Sequence, residues 1–196
     1  VFCCFNQNNK ITPNIFDIWM RILKTVDGSV LWLLEDNSIA AKNLKKEAKK
    51  KKINPDRIIF AKRMPTADHF ARHKCADLFI DTFPYGAHTT CSDSLWAGLP
   101  IVTLMGKSFA SRVGGSLLNA INLEELITTT EKEYEELIIE LANNSYHLKK
   151  IRNKLHKNKS TEPLFNTKLY TKNIELAYTK IYEKYLNKLT VENIEI

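Results

Sequence analysis

Short apolar runs alternate with amphipathic segments over the first two-thirds of the chain. The opening VFCCFN, residues 1–6, reads as a strand. Thr12-Pro13 then offers a helix N-cap and a first-turn proline. Ile15, Ile18, Trp19, Ile22, Leu23 and Val26 follow at the spacing of one helix face. Gly28 ends that helix, and SVLWLL (29–34) is a second, buried strand. A lysine-rich helix comes next, broken at Asn54-Pro55 before a third strand, RIIFA (57–61). The pattern then predicts a helix over 65–74 and a fourth strand, DLFID (77–81). A helix over 90–97 ends at Gly98, and Pro100 opens a fifth strand, PIVTLM. A helix over 110–121 and a short strand over 126–128 close the alternation.

Strand–helix alternation of this kind predicts an α/β fold with a doubly wound parallel sheet. From Thr130 the pattern becomes purely helical. Thr130 and Glu133 form a capping box ahead of Tyr134, Leu137, Ile138 and Leu141 on one face. A basic helix, the loop STEPLFNT (160–167) and a long helix over 166–186 follow. The last helix carries Tyr170, Ile174, Ala177, Tyr178, Ile181 and Tyr185 as an apolar stripe, which predicts packing against a neighbour. The expected organisation is a core over 1–129, a helical appendage over 130–187 packed on it, and a frayed tail over 188–196.

Composition narrows the class. The 196 residues are 44% hydrophobic and 10% aromatic, enough for one well-cored domain. No apolar run is long enough to span a membrane, and no signal-peptide pattern opens the chain. Val1 leads straight into an apolar run, so the sequence reads as part of a longer protein. The formal charge of +7 comes largely from the runs 42–52 and 147–159. Both read as solvated helix faces, and no nucleic-acid recognition motif accompanies them, so neither nucleic acid nor a membrane is an expected partner. Cys3, Cys4, Cys75 and Cys91 fit neither a zinc spacing nor a disulfide framework. Buried, reduced thiols in a cytoplasmic protein are the expectation.

In an open parallel sheet, ligands bind beyond the carboxyl ends of the strands where the strand order reverses. In the common order that place lies between the first and fourth strands. Two loops meet there, NQNNK (6–10) and PYGAHTT (84–90). Lys10 offers a positive charge and Gln7 an amide donor. The backbone amides of Thr89 and Thr90 open a helix whose dipole favours an anion, and Gly86 lets the chain turn in front of it. Thr90 with Asp93 also fits a T-x-x-D capping box, which needs no ligand, and His88 alone can be an ordinary loop histidine. Two independent loops converging on one crevice favour a phosphate.

Other apparent motifs fail. GKS (106–108) imitates the end of a P-loop, but Ile101 stands where the leading glycine belongs. His69 and His73 stand four apart on a helix with no glutamate after His69 and no evident third ligand. Neither a G-x-G-x-x-G nor a D-x-D occurs, so no dinucleotide redox site and no metal site are expected.

FNQNNKITP, VLWLLED, NPDRIIFA, ADLFIDTFPYGAHTTCSDSLWAGLPIVTL, SFASRVGGSLL and EPLFNTKLYT run in order over most of the chain. Together they resemble the C-terminal lobe of the catalytic region in the O-linked N-acetylglucosamine transferase family. That resemblance implies a two-lobed GT-B glycosyltransferase with Rossmann-like lobes, in which this chain holds most of the UDP-sugar. It implies inverting transfer of N-acetylglucosamine from UDP-N-acetylglucosamine (UDP-GlcNAc) to serine or threonine hydroxyls of a protein or peptide acceptor. No cofactor or metal is implied.

By the same resemblance, Gln7 and Lys10 contact the diphosphate, and Lys10 serves catalysis by stabilising the departing group. Thr89 and Thr90 bind its oxygens through backbone amides with His88 beside them, and Asp93 meets the ribose. His69 and Arg72 surround the uracil, and the Met64 main chain pairs with the base. Thr66 departs from the pattern, standing where the animal enzymes carry a lysine that reaches toward the ribose. The other implied partners are an N-terminal catalytic lobe, on which the C-terminal helices also pack, and upstream helical repeats. Without that lobe the chain is expected to bind nucleotide weakly and to be inactive alone. The competing readings are a bacterial protein N-glucosyltransferase, another UDP-sugar enzyme of the same fold, and a non-catalytic nucleotide-binding module.

Overall fold

A computed structural model describes all 196 residues. Six parallel strands form one sheet: β1 (Phe2–Cys4), β2 (Leu31–Leu34), β3 (Ile58–Ala61), β4 (Leu78–Ile80), β5 (Ile101–Leu104) and β6 (Ile127–Thr128). Their order is β3-β2-β1-β4-β5-β6, so the winding reverses between β1 and β4. Register is set by pairs such as Cys3 with Trp32 on one side and Phe79 on the other. Continuous apolar runs are what a sheet covered on both faces requires. All three residues of β1, all three of β4 and all four of β5 are buried.

Eight α-helices surround the sheet: α1 (Pro13–Thr25), α2 (Ser38–Lys50), α3 (Thr66–Arg72), α4 (Thr89–Ala97), α5 (Val113–Ala120), α6 (Glu131–Asn143), α7 (Ser145–Thr161) and α8 (Thr167–Leu186). The Thr12 hydroxyl accepts from the Ile15 amide and caps α1. Besides the expected face, Phe16 and Met20 of α1 are buried. This helix packs on α6, while α3, α5 and α7 gather round α4. The 65–74 expectation resolves into α3 followed by a 3-10 turn at His73–Cys75. Gly98 adopts φ +85 and closes α4, with Leu99 N–H donating back to Ser94 O.

The capping box at Thr130 and Glu133 starts α6 as its sequence predicts. Tyr134, Ile138 and Leu141 of α6 enter the core, as do Ile151 and Leu155 of α7. The tyrosine stripe of α8 does not follow them. No α8 residue is buried, and Tyr170, Tyr178, Ile181 and Tyr185 are exposed. α8 therefore does not enter the core, and its apolar side is largely open, with Ile181 and Tyr185 facing only Leu189, Val191 and Ile194 of the C-terminal tail.

Two further expectations need correction. Residues after Leu186 form no helix or strand, yet they are not simply frayed. Lys188 takes a left-handed turn (φ +53), Lys184 pairs with Glu192, and Lys180 Nζ reaches Glu195 O at 2.7 Å, so the tail folds back along α8. Among the cysteines, Cys3, Cys4 and Cys91 are buried free thiols, but Cys75 is exposed.

Candidate functional site

At the reversal point the loops after β1 and β4 enclose a cleft of about 340 Å³. Its lining includes Gln7, Lys10, His88, Thr89 and Thr90, five of the residues singled out from sequence. Lys10 ends a short 3-10 turn (Asn8–Lys10), half-buried, and its ammonium donates to Gly86 O at 2.9 Å. The same ammonium lies 3.8 Å from the Tyr85 ring centroid. Burial pulls its pKa below the ordinary lysine value, opposed by the nearby Asp81 carboxylate and the Cys4 thiol. Gln7 is exposed at the head of the turn, with no capping bond from its side chain.

The two explanations for the threonines now separate. α4 starts at Thr89, with His88 as N-cap and no side-chain cap bond. Thr90 therefore lies inside the first turn, and its hydroxyl donates to Asn6 Oδ1. The T-x-x-D capping box does not form. The amides at the start of α4 have no partner within the helix, the general condition of a first turn. That leaves them available to an anion. His88 Nε2 lies 3.2 Å from Ala110 O, with its ring between Tyr85 (5.2 Å) and Phe109 (5.8 Å).

Gly86 has a different reason from the one expected. Its φ is not positive; a Cβ there would lie 3.0 Å from Asp81 Oδ2, so a side chain would push against that buried carboxylate. Gly106, the glycine of the false P-loop, is likewise a packing residue, because a Cβ would come within 2.6 Å of Ser111 Oγ.

Met64, His69, Arg72 and Asp93 lie outside the cleft lining. His69 and Arg72 adjoin it through Phe5, which does line it: the ring centroids of Phe5 and His69 are 5.6 Å apart, and the Arg72 guanidinium is 4.3 Å from the Phe5 ring. Arg72 is buried, donates to Lys62 O at 2.9 Å, and leaves Nε without a partner. Burial lowers the His69 pKa to about 4, assisted by the Arg72 charge and by His73, so the ring is neutral near pH 7. His73 turns Nδ1 to His69 O at 2.7 Å, and burial lowers its pKa too. Met64 is exposed in the β3–α3 loop, and Thr66 is exposed at the start of α3. Asp93 is half-buried in α4, and burial raises its carboxyl pKa.

Sequence reasoning missed Phe5, Asn6, Arg63 and Tyr85, which line the cleft with the others. Arg63 pairs with Asp36 at 2.6 Å, and Asp36 accepts the Asn8 amide at 2.9 Å, joining the loops after β1, β2 and β3. Asn6 stood in the quoted FNQ, but an asparagine after a strand carries no distinctive signal. Across the chain, no group of three or more His, Cys, Asp or Glu side chains converges in a way that could hold a metal. No helix is long and apolar enough to cross a membrane.

Comparison with known proteins places this geometry among relatives. The family model described as Glycosyl transferase family 41 matches residues 1–174. The UDP-N-acetylglucosamine--peptide N-acetylglucosaminyltransferase of Caenorhabditis elegans is 34% identical over 194 residues, covering 99% of this chain and 17% of that protein. The SEC protein of Arabidopsis thaliana, whose name gives the same activity as probable, is 38% identical over 183 residues, covering 93% of this chain and 19% of that protein. A solved structure of a mutant Thermobaculum terrenum O-GlcNAc transferase superposes with a TM-score of 0.87 at 28% identity. That match covers 92% of this chain and 35% of the solved one. The chain thus spans less than a fifth of the length of the two curated relatives.

Proposed function

The chain belongs to glycosyl transferase family 41, and from that premise we propose that it is the nucleotide-binding lobe of a GT-B protein glycosyltransferase. Its donor is UDP-GlcNAc and its acceptor a serine or threonine hydroxyl of a protein or peptide. One observation carries the reading: Lys10 and the N-terminal turn of α4 line the same cleft at the reversal of strand order.

In the proposed inverting step, the acceptor oxygen attacks the anomeric carbon from the face opposite the diphosphate. The bond from that carbon to the diphosphate oxygen breaks, and its electron pair stays on UDP. The acceptor proton passes to a base outside this chain. Charge therefore grows on the β-phosphate as the bond breaks. Lys10 and the amides of Thr89 and Thr90 oppose it, a preorganised arrangement that favours the transition state over the ground state. The site reading needs no metal or cofactor, because a lysine and helix amides supply the neutralisation.

The rest of the donor extends toward Phe5. His69 and Arg72 flank the uracil, the Met64 main chain pairs with it, and Asp93 meets the ribose. A neutral His69 suits a position beside an uncharged base. Gln7 and His88 complete the diphosphate contacts. With Thr66 in place of the animal lysine, the ribose has one contact fewer. The exposed stripe of α8 is assigned to the N-terminal catalytic lobe, with upstream helical repeats serving the acceptor. The protein is assigned to the cytoplasm, where the buried thiols stay reduced.

Two measurements test the reading. Calorimetric titration of UDP into the chain should show weak binding that Asp93→Ala weakens further; undiminished binding would remove Asp93 from the ribose. The longer protein that the reading implies, given UDP-GlcNAc and acceptor peptides, should modify hydroxyl side chains. Failure to modify any would overturn the proposed activity.

A further inference from the structure

Beneath the cleft lies a carboxylate that no solvent reaches. Asp81, just past β4, is 1% exposed. Its Oδ1 accepts from Asn6 Nδ2 at 3.0 Å, from the Thr82 amide at 2.7 Å and from the Ala87 amide at 2.7 Å. Its Oδ2 accepts from Thr103 Oγ1 of β5 at 2.7 Å. Its main-chain carbonyl accepts the Tyr134 hydroxyl of α6 at 2.7 Å. Gly86 and Gly114 close over the same Oδ2, where a Cβ from either would come within 3.0 and 3.3 Å.

These bonds reach the cleft by two routes. Ala87 follows Gly86, whose carbonyl holds the Lys10 ammonium, and precedes His88, the N-cap of α4. Asn6 accepts the Thr90 hydroxyl, so the first turn of α4 is tied to Asp81 through one intervening side chain. Thr82, itself held at its amide by Asp81, returns its hydroxyl to Tyr85 O at 2.7 Å and fixes the ring against which Lys10 rests.

We infer that Asp81 is a positioning residue of the phosphate site: its carboxylate locks the 82–88 loop and Asn6 together, so that Lys10 and the α4 amides face one ligand. The inference rests on the diphosphate reading of the cleft. A carboxylate suits the task because three donors converge on one oxygen; burial raises its pKa, and the bonds from Thr103, Ala87, Thr82 and Asn6 act the other way by favouring the charged form. Asparagine can preserve much of this: its oxygen can take the Oδ1 place, and its NH2 can face Thr103, whose hydroxyl can turn to accept. Alanine cannot.

The test compares UDP with uridine, which lacks the phosphates, on the whole chain by ligand-observed NMR. Asp81→Ala should weaken UDP at least about tenfold, equivalent to about 1.4 kcal/mol, and leave uridine unchanged; Asp81→Asn should restore UDP to within about threefold. Equal loss of both ligands in a folded Asp81→Ala chain would mean a general structural role and overturn the inference, as would no loss of UDP. Should Asp81→Ala not fold, Thr103→Val carries the test, with UDP weakened about twofold or more and uridine unchanged; unchanged UDP would overturn it. If the parent chain binds no UDP, the functional reading fails separately. The positioning claim is then read from hydrogen exchange at the Thr82 and Ala87 amides. Exchange there should accelerate at least about tenfold in Asp81→Ala, or in Thr103→Val where Asp81→Ala does not fold, relative to core strands, and unchanged exchange would contradict it.

Discussion

The Thr90 hydroxyl donates to the side-chain oxygen of Asn6, bridging the two loops that flank the reversal of strand order. A threonine in that first turn would ordinarily be credited with capping; here it stitches the β1 loop to α4. The bond matters because Asn6 is also held by Asp81 and Thr82, so α4 inherits its position from the buried network. Thr90→Val keeps the shape and removes the donor. It should cost about 1 kcal/mol of stability by urea denaturation and weaken UDP, while a capping role would instead fray α4 without moving the β1 loop.

Tyr134 joins α6 to α1 and to the end of β4. Its hydroxyl donates to Asp81 O at 2.7 Å and accepts from Trp19 Nε1 at 3.1 Å, all within the core. Tyr134→Phe leaves a buried carbonyl and a buried indole N–H without partners. The expected loss is about 2–4 kcal/mol in denaturant midpoint analysis. A loss under about 0.5 kcal/mol would mean that water replaces the hydroxyl.

Acid should weaken the fold through the histidines beside Phe5. Unfolded, His69 takes a proton near pH 6.5; folded, it resists until about pH 4. Between those values the unfolded state binds more protons, so stability falls as pH drops. His73 adds to the effect in the same direction. The urea midpoint should fall from pH 7.5 to pH 5, and His69→Gln should flatten that slope. An identical slope in the variant would remove His69 from the account.

The α8 stripe gives the opposite kind of prediction. Ile181 and Tyr178 are exposed and touch no core residue enough to be buried. Ile181→Glu should change the stability of the isolated chain by less than about 0.5 kcal/mol. In the longer protein proposed above it should weaken docking of the proposed N-terminal lobe, seen as loss of activity. A large destabilisation of the isolated chain would show that the stripe already has its partner here.

Much of the framework is legible because periodicity reports burial. The helical spacing from Ile15 to Val26 locates α1, the capping box locates α6, and the continuous apolar runs give every strand to within a few residues. The cleft is legible for a topological reason: once the strand order is assumed, the β1 and β4 loops must meet. Asp81 and Asn6 are not legible, since each follows an apolar strand and bonds to a partner 75 residues away. Nothing local in ID or FN announces that. Local pattern also mistakes Thr90-Asp93 for a cap, and it cannot say that the stripe of α8 stays out of the core.

The central claim is that the cleft beside Lys10 holds a diphosphate, and the most direct measurement compares UDP with uridine by calorimetry on the chain and on Lys10→Ala. UDP should bind the parent at least about tenfold more tightly than uridine, and Lys10→Ala should remove most of that advantage, leaving uridine unaffected. Equal affinities for UDP and uridine in the parent, or an advantage undiminished in Lys10→Ala, would contradict the account.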